Sequence, residues 1–190
     1  MIVHRNLQQT SREMATAIER LSSGLRINHA GDDPAGMAIA EHFRGLIDSM
    51  TEAERNANYG VNMLQTAEGG MSLIDEKLIR MRALAIEAAN GPLSDEDRDY
   101  LDLEFQEMVA ELERISQATA YGNQALIDGS FSVAGSLSFH IGPHAVTDVD
   151  FIATEIPDLS TSALGVDAED VQDVANAQAA ITAIDAALVI

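Results

Sequence analysis

Between residues 46 and 88 the chain steps by four and three without a break: Leu46, Met50, Ala53, Ala57, Gly60, Leu64, Ala67, Met71, Ile74, Leu78, Met81, Ala85 and Ala88. Small or apolar residues at that spacing fall on one face of an α-helix and form the seam of a coiled-coil-like packing. At 1.5 Å per residue such a helix would run on the order of 65 Å, too long to be folded into a compact globule of 190 residues. The small residues on the seam (Ala53, Ala57, Gly60, Ala67, Ala85, Ala88) invite close approach by partner helices.

The pattern stops at Asn90-Gly91-Pro92, where Gly91 can take a left-handed C-terminal cap and Pro92 cannot continue the helix. Ser94-Asp95-Glu96-Asp97 then reads as a capping box with Ser94 as N-cap and acids in the first turn. The next helix carries its own seam, Leu101, Phe105, Met108, Leu112, Ile115 and Thr119, and so short a link requires the two helices to run antiparallel. From Tyr121 the pattern changes to period two, with Phe131, Val133, Leu137, Phe139, Ile141, Val149 and Phe151, which predicts a small hairpin patch within 131–156 around Gly142-Pro143. A third helical stripe follows at Val174, Gln178, Ile181, Ile184 and Leu188. It stops in mid-pattern at Ile190, which gives the expectation of a truncated C-terminal helix. Near the start, Leu7, Met14, Ile18, Leu21 and Leu25 form another stripe, and a turn is expected within 28–36. The fold expected is mainly α: an elongated rod of antiparallel coiled-coil-like helices with a small β-hairpin patch.

Composition narrows the function. The chain carries 31 acidic against 11 basic residues, a net charge of -20, so phosphate backbones and anionic lipid surfaces would repel it. Neither nucleic acid nor membrane is an expected partner, and no apolar run approaches a membrane span. Cysteine is absent, which removes disulfides, thiolate metal sites and Cys nucleophiles. Residues 1–21 lack the apolar core of a cleaved secretory signal.

No catalytic, metal or cofactor site emerges. His140 and His144 are four apart, but Ile141-Gly142-Pro143 between them excludes the helical two-histidine zinc geometry, and both are expected to face solvent. Asp95, Asp97 and Asp99 imitate the start of a calcium loop, yet Tyr100 stands where that loop needs Gly. Asp32 and Asp33 lack a pKa-tuning neighbour and are better read as caps for the long helix. Ser22-Ser23 has no nucleophile frame around it. Arg20, Arg26, Arg44 and Arg55 are too sparse for a phosphate track. The chain is not expected to be an enzyme.

The segment 19–40, ERLSSGLRINHAGDDPAGMAIA, closely resembles the N-terminal signature of bacterial flagellins. The resemblance continues through Arg55-Asn56-Ala57-Asn58, Gln65-Thr66-Ala67-Glu68-Gly69 and the stretch 84–90, and covers most of 5–127. The chain departs from the family pattern at Pro34, Tyr59 and Tyr121-Gly122-Asn123. Pro34 also looks like the hook-filament junction proteins, the alternative reading.

The resemblance implies a minimal flagellin, lacking large outer domains, that self-assembles into a filament in an extracellular or periplasmic flagellum. It implies an N-terminal inner-tube helix and spoke (1–30), a long helical hairpin of the rod (31–127), a short β-rich variable region (128–168) and the start of the C-terminal rod helix (169–190). Partners implied are further copies of the chain, a flagellin chaperone and the flagellar export apparatus. They also include the vertebrate Toll-like flagellin receptor, which in similar flagellins grips positions matching Arg80, Leu84 and Glu104. Arg80 and Leu84 share a face and are expected to lie off the seam.

Overall fold

A computed structural model of the chain describes residues 1–147 and 149–190. The chain divides into two compact units, Met1–Glu52 and Ala53–Ile190. The division falls inside the long helix, whereas the sequence-derived boundaries fall after 30, 127 and 168.

The first unit holds helix α1 (Ile2–Ser23) and the start of α2 (Pro34–Ala88). α1 ends at Gly24, whose φ of 71° lets its amide return to the Arg20 carbonyl, the left-handed C-terminal cap that a side chain would strain. Two acids organise the turn that follows. Asp32 Oδ2 accepts the amides of Asn28 and His29 at 3.2 and 3.3 Å. Asp33 Oδ1 accepts the Gly36 amide at 2.9 Å, with Pro34 next to it at the first helical position, where the missing N–H costs nothing. The expectation that these aspartates serve α2 as caps holds for Asp33; Asp32 folds the loop instead. α1 buries no residue.

In the second unit α2 packs with α3 (Asp95–Ala118) and α5 (Val174–Ala187). Ser94 caps α3 as the sequence predicts: its hydroxyl accepts the Asp97 amide at 3.2 Å and Asp97 Oδ2 accepts the Ser94 amide at 3.3 Å. α3 runs antiparallel to α2, because Arg98 meets Ala88, Arg80 meets Glu104, and Thr119 lies against Gly70. α5 is also antiparallel to α2: Arg82 pairs with Asp185, while Leu78 and Ile74 share a cavity with Ala187 and Leu188.

The buried face of α2 is wider than a two-helix seam. It comprises Ala53, Gly60, Met63, Ala67, Gly70, Ile74, Leu78, Met81, Leu84, Ala85 and Ala88. On a 3.6-residue helix, Met63 and Gly70 project within about 20° of Met81, whereas Leu64 and Met71 lie about 80–100° away. The strict heptad reading therefore misplaces Leu64, which is exposed, whereas Met71 is half-buried and packed against the core. It also extends too far, since Leu46 is half-buried and Met50 exposed. The physical reason is drift, because a straight helix slips about 20° per heptad against a 3.5-residue repeat. The α3 seam holds, with Phe105, Leu112 and Ile115 buried and Leu101 and Met108 packed against the core.

Glycines in α2 admit neighbours that a methyl would push away. A Cβ on Gly60 would lie 3.1 Å from the Phe139 ring, and one on Gly70 would lie 2.6 Å from the Thr119 side chain. Phe139 belongs to β3 (Leu137–His140), which pairs antiparallel with β4 (Phe151–Thr154) in the register Leu137↔Thr154, inside the predicted hairpin range. A second, two-residue pairing of β1 (Ala120–Tyr121) with β2 (Gln124–Ala125) was not foreseen. Its turn uses Gly122 at φ 65°, where a glycine is needed. The short α4 (Thr161–Leu164) leads toward α5. The face α5 buries is Ala177, Ala180, Ile184 and Ala187, so Gln178 of the expected stripe is displaced to solvent.

Leu78 is 1% exposed and Ile79 beside it 61%, which gives a direct test of the face. Leu78→Asp should lower unfolding free energy by several kcal/mol, while Ile79→Asp should change it by less than about 1 kcal/mol. Comparable urea midpoints for the two variants would reject the assigned face.

Candidate functional site

Arg80, Leu84 and Glu104 do not form one exposed triad. The Arg80 guanidinium meets Glu104 Oε1 through Nε at 2.9 Å and Nη2 at 2.5 Å, on the outer surface of the α2–α3 pair. Leu84 is 1% exposed and belongs to the core, which corrects the expectation that it lies off the seam. With two partner helices, α2 buries an arc of about 120°. Leu84 projects about 60° from Met81, inside that arc, and Arg80 about 100°, just outside it. Arg82 sits on the opposite flank and pairs with Asp185 at 2.6 Å.

The most constrained polar group here is one that sequence reasoning passed over. Arg98 is 5% exposed, yet its Nε donates to the Ala88 carbonyl and its Nη2 to the Asn90 carbonyl, both at 3.0 Å. A guanidinium from α3 thus satisfies carbonyls at the C-terminal end of α2, where the helix dipole favours a cation. Gly91 does not adopt positive φ, so the expected glycine cap is replaced by Arg98. Nη1 reaches the exposed Asp95 carboxylate at 3.3 Å. A signal was available: an Arg one turn into a helix that follows a tight link can reach back to the preceding helix end.

A second buried charge, Asp102, secures the returning chain. Oδ1 accepts the Val171 amide and Oδ2 the Gln172 carboxamide, each at 3.0 Å. Glu113 Oε2 accepts the Thr161 hydroxyl at 2.8 Å, and this bond, with those from Gln117 and the Thr161 amide, holds its pKa below the ordinary 4.5. Asp97 is held below 3.8 first by the Ser94 hydroxyl and then by the Ser94 amide. Asp185 is held low by Arg82. These are holding contacts rather than reactive groups.

His140 and His144 do not converge as imidazoles. His140 Nε2 meets the His144 backbone carbonyl at 2.5 Å, and its ring stacks on Phe151 with centroids 4.4 Å apart. His140 is therefore half-buried rather than solvent-facing, while His144 is exposed. Among the described residues no group of three His, Cys, Asp or Glu is placed to hold a metal ion, and no helix is long and apolar enough to cross a membrane.

The conspicuous polar groups of this helical chain thus serve as caps and clamps, and apolar side chains lie exposed along α1 and the start of α2. Residues 1–132 match the family model of the bacterial flagellin N-terminal helical region, and the chain belongs to the flagellin family. It is 39% identical over 185 residues to a flagellin of Halalkalibacterium halodurans, covering 97% of this chain and 66% of that protein. It is 41% identical over 161 residues to the B-type flagellin of Pseudomonas aeruginosa, covering 85% of this chain but 32% of the relative. The chain thus spans less than two thirds of the length of these relatives. The crystal structure of Bacillus cereus flagellin superposes with a TM-score of 0.56 at 24% identity, over 70% of this chain and 74% of that one, and shares the fold. Family members are structural filament proteins, not enzymes.

Replacing Arg98 by Met keeps the stem but leaves the Ala88 carbonyl without its donor and the Asn90 carbonyl with the Leu93 amide alone, so stability should fall by about 1–3 kcal/mol. Arg98→Lys should recover only part of this, because one ammonium cannot reproduce the fork; a lysine variant as stable as wild type would remove the clamp. The acids give a pH dependence of defined sign. Asp97, Glu113 and Asp185 have folded pKa values below their unfolded ones. Their stabilisation is complete above the ordinary values of 3.8 and 4.5 and is lost as pH falls through the lower folded values. Protonation also relieves self-repulsion from the net charge of -20, an opposing effect that salt screens. In high salt the urea midpoint should therefore fall on acidification through this range, and a constant midpoint would contradict the assignment.

Proposed function

We propose that this chain is a structural subunit of the bacterial flagellar filament, outside the cytoplasm, building it by helix packing with further copies. One observation carries the reading beyond family membership: α1 buries none of its residues while Leu7, Met14, Ile18 and Leu21 lie exposed along it. A single helix of this length is marginal in water, and an apolar stripe on it requires a helical partner. The start of α2 repeats the situation, with Ile39, Phe43, Ile47 and Met50 exposed. Delivery through the flagellar export apparatus with a dedicated chaperone belongs to the same reading. Hook-filament junction assembly, suggested by Pro34, gains no support: after the Asp33 cap, proline is a common first residue in any helix.

In the full-length protein, Leu7→Asp with Ile18→Asp should abolish filaments seen by electron microscopy while leaving the far-ultraviolet melting of the remaining helices in place. Filaments of normal length from that variant would refute the assembly role of the α1 stripe.

We further infer a contact for the vertebrate Toll-like flagellin receptor at the Arg80–Glu104 pair. The support is its exposure and fixed geometry: the guanidinium is already oriented by two hydrogen bonds to one carboxylate oxygen, and solvent screening leaves that pair worth only about 0–1 kcal/mol to the fold. Arg80→Ala should weaken binding to the receptor ectodomain by about 2 kcal/mol or more, as expected for a hot-spot arginine, with circular dichroism unchanged. Equal binding by wild type and variant would remove this role and leave the filament proposal standing.

A further inference from the structure

We infer that Asn90 is a site of spontaneous backbone modification, converting through a succinimide to isoaspartate and aspartate. Of the asparagines in the sequence, Asn90 alone is followed by glycine, and the surroundings leave the reacting atoms free. Asn90 is exposed. Among the described residues its carboxamide has no hydrogen-bond partner, and neither has the Gly91 amide N–H, although the Asn90 carbonyl is held by Arg98 and by the Leu93 amide at 3.2 Å. Open space surrounds the position a Gly91 Cβ would take, so nothing hinders approach of this nitrogen to the neighbouring side chain, and glycine gives the turn freedom to close the ring. Of the others, Asn123 is followed by Gln124, whose side chain hinders ring closure where glycine does not, and the rest are less free. Asn6, Asn56, Asn58, Asn62 and Asn176 lie inside α-helices, where helical hydrogen bonding fixes the following amide. The Asn28 carboxamide is held by Glu19 at 3.0 Å.

The chemistry balances without an oxidant. Solvent base takes the Gly91 amide proton, and the nitrogen attacks Asn90 Cγ. The Cγ–Nδ2 bond breaks, and ammonia leaves after protonation from solvent. Water then opens the five-membered imide at either carbonyl. Opening at Cγ gives aspartate; opening at the main-chain carbonyl gives isoaspartate, with the chain rerouted through Cγ. In the second product the carbonyl that now accepts from Arg98 and Leu93 becomes a free carboxylate, and the main chain gains a methylene. The turn joining α2 to α3 must then be rebuilt at the place where the Arg98 clamp holds it. In a subunit fixed in an extracellular filament, which presumes the proposed function, the change would accumulate with the age of the subunit; the chemistry itself does not depend on that reading.

The test is ageing of the purified protein in mildly alkaline buffer, followed by peptide mass mapping and by labelling with an isoaspartyl methyltransferase. Asn90 should gain the amide-to-acid mass increase faster than Asn28 or Asn123 in the same sample, with methyl label on the same peptide. Gly91→Ala should slow it severalfold, and Asn90→Gln should abolish the label, circular dichroism reporting that both variants fold. Conversion at Asn90 no faster than at Asn28 and Asn123, or undiminished in Gly91→Ala, would overturn the proposal. Hydrogen exchange should be faster across 88–98 in the aged protein than in the fresh protein; unchanged exchange there would overturn the claimed effect on the turn.

Discussion

The second unit depends on one face of α2 being small enough for two helices and a strand to approach it at once. Where that face carries glycine or alanine, a neighbour fills the space: Phe139 lies over Gly60 and Thr119 against Gly70. Where it carries a long side chain, as at Leu78, Met81 and Leu84, the chain enters a common core with Phe105, Leu112 and Ile184. Close approach lets weak dispersion contacts accumulate without the large aromatic surfaces that this sequence, with 4% aromatic residues, does not supply. The same geometry sets the outer rim of the core, because a 120° arc, roughly, leaves positions such as Arg80 and Arg82 at its edges. There, each takes an acid from a different partner helix.

The acidic excess has a structural use beyond solubility. Several carboxylates turn toward backbone amides of loops that have no ladder of their own: Asp32 to residues 28 and 29, Asp102 to Val171, Asp150 to Val146, and Asp158 to Ser160. A carboxylate offers several acceptor sites and no donor, so it suits a chain segment presenting unpaired N–H groups. The arginines show the complementary use, since Arg98 supplies donors to carbonyls at a helix end. Other arginines take acids instead, as Arg80 does Glu104, Arg82 does Asp185 and Arg114 does Glu111.

The architecture was legible where one local rule decided it. The 4-3 alternation marked α2, the Ser94 capping box marked α3, and alternation around Gly142-Pro143 marked the β3–β4 hairpin. Reading failed where two partners competed for one helix. A heptad describes a narrow seam for a single partner helix, so it favoured Leu64 over Met63 and Gly70 and left Leu84 outside, although Leu84 lies on the flank of α2 that meets α3, beside Arg80. Arg98 was missed because helix ends were sought by their usual cap, glycine, and not by a side chain arriving from the next helix. Of the candidate receptor residues, antiparallel pairing brought Arg80 to Glu104, which the spacing allowed, but burial of Leu84 is a tertiary fact.

The two units differ in what their stability rests on. The unit from Ala53 onward contains every residue of the buried core, so its fold has an internal driving force. In the unit ending at Glu52, order comes from local caps and from short polar links such as His29 to Glu19 at 2.6 Å, all near the surface. Exposed links of that kind contribute little individually, and the apolar side chains that could contribute more face outward. A segment built in this way gains its main stabilisation when another surface covers those side chains, so its ordering and its association are one thermodynamic event. The unit from Ala53 onward is held from within instead, by its core, by the polar contacts of Asp102 and by the Arg98 clamp.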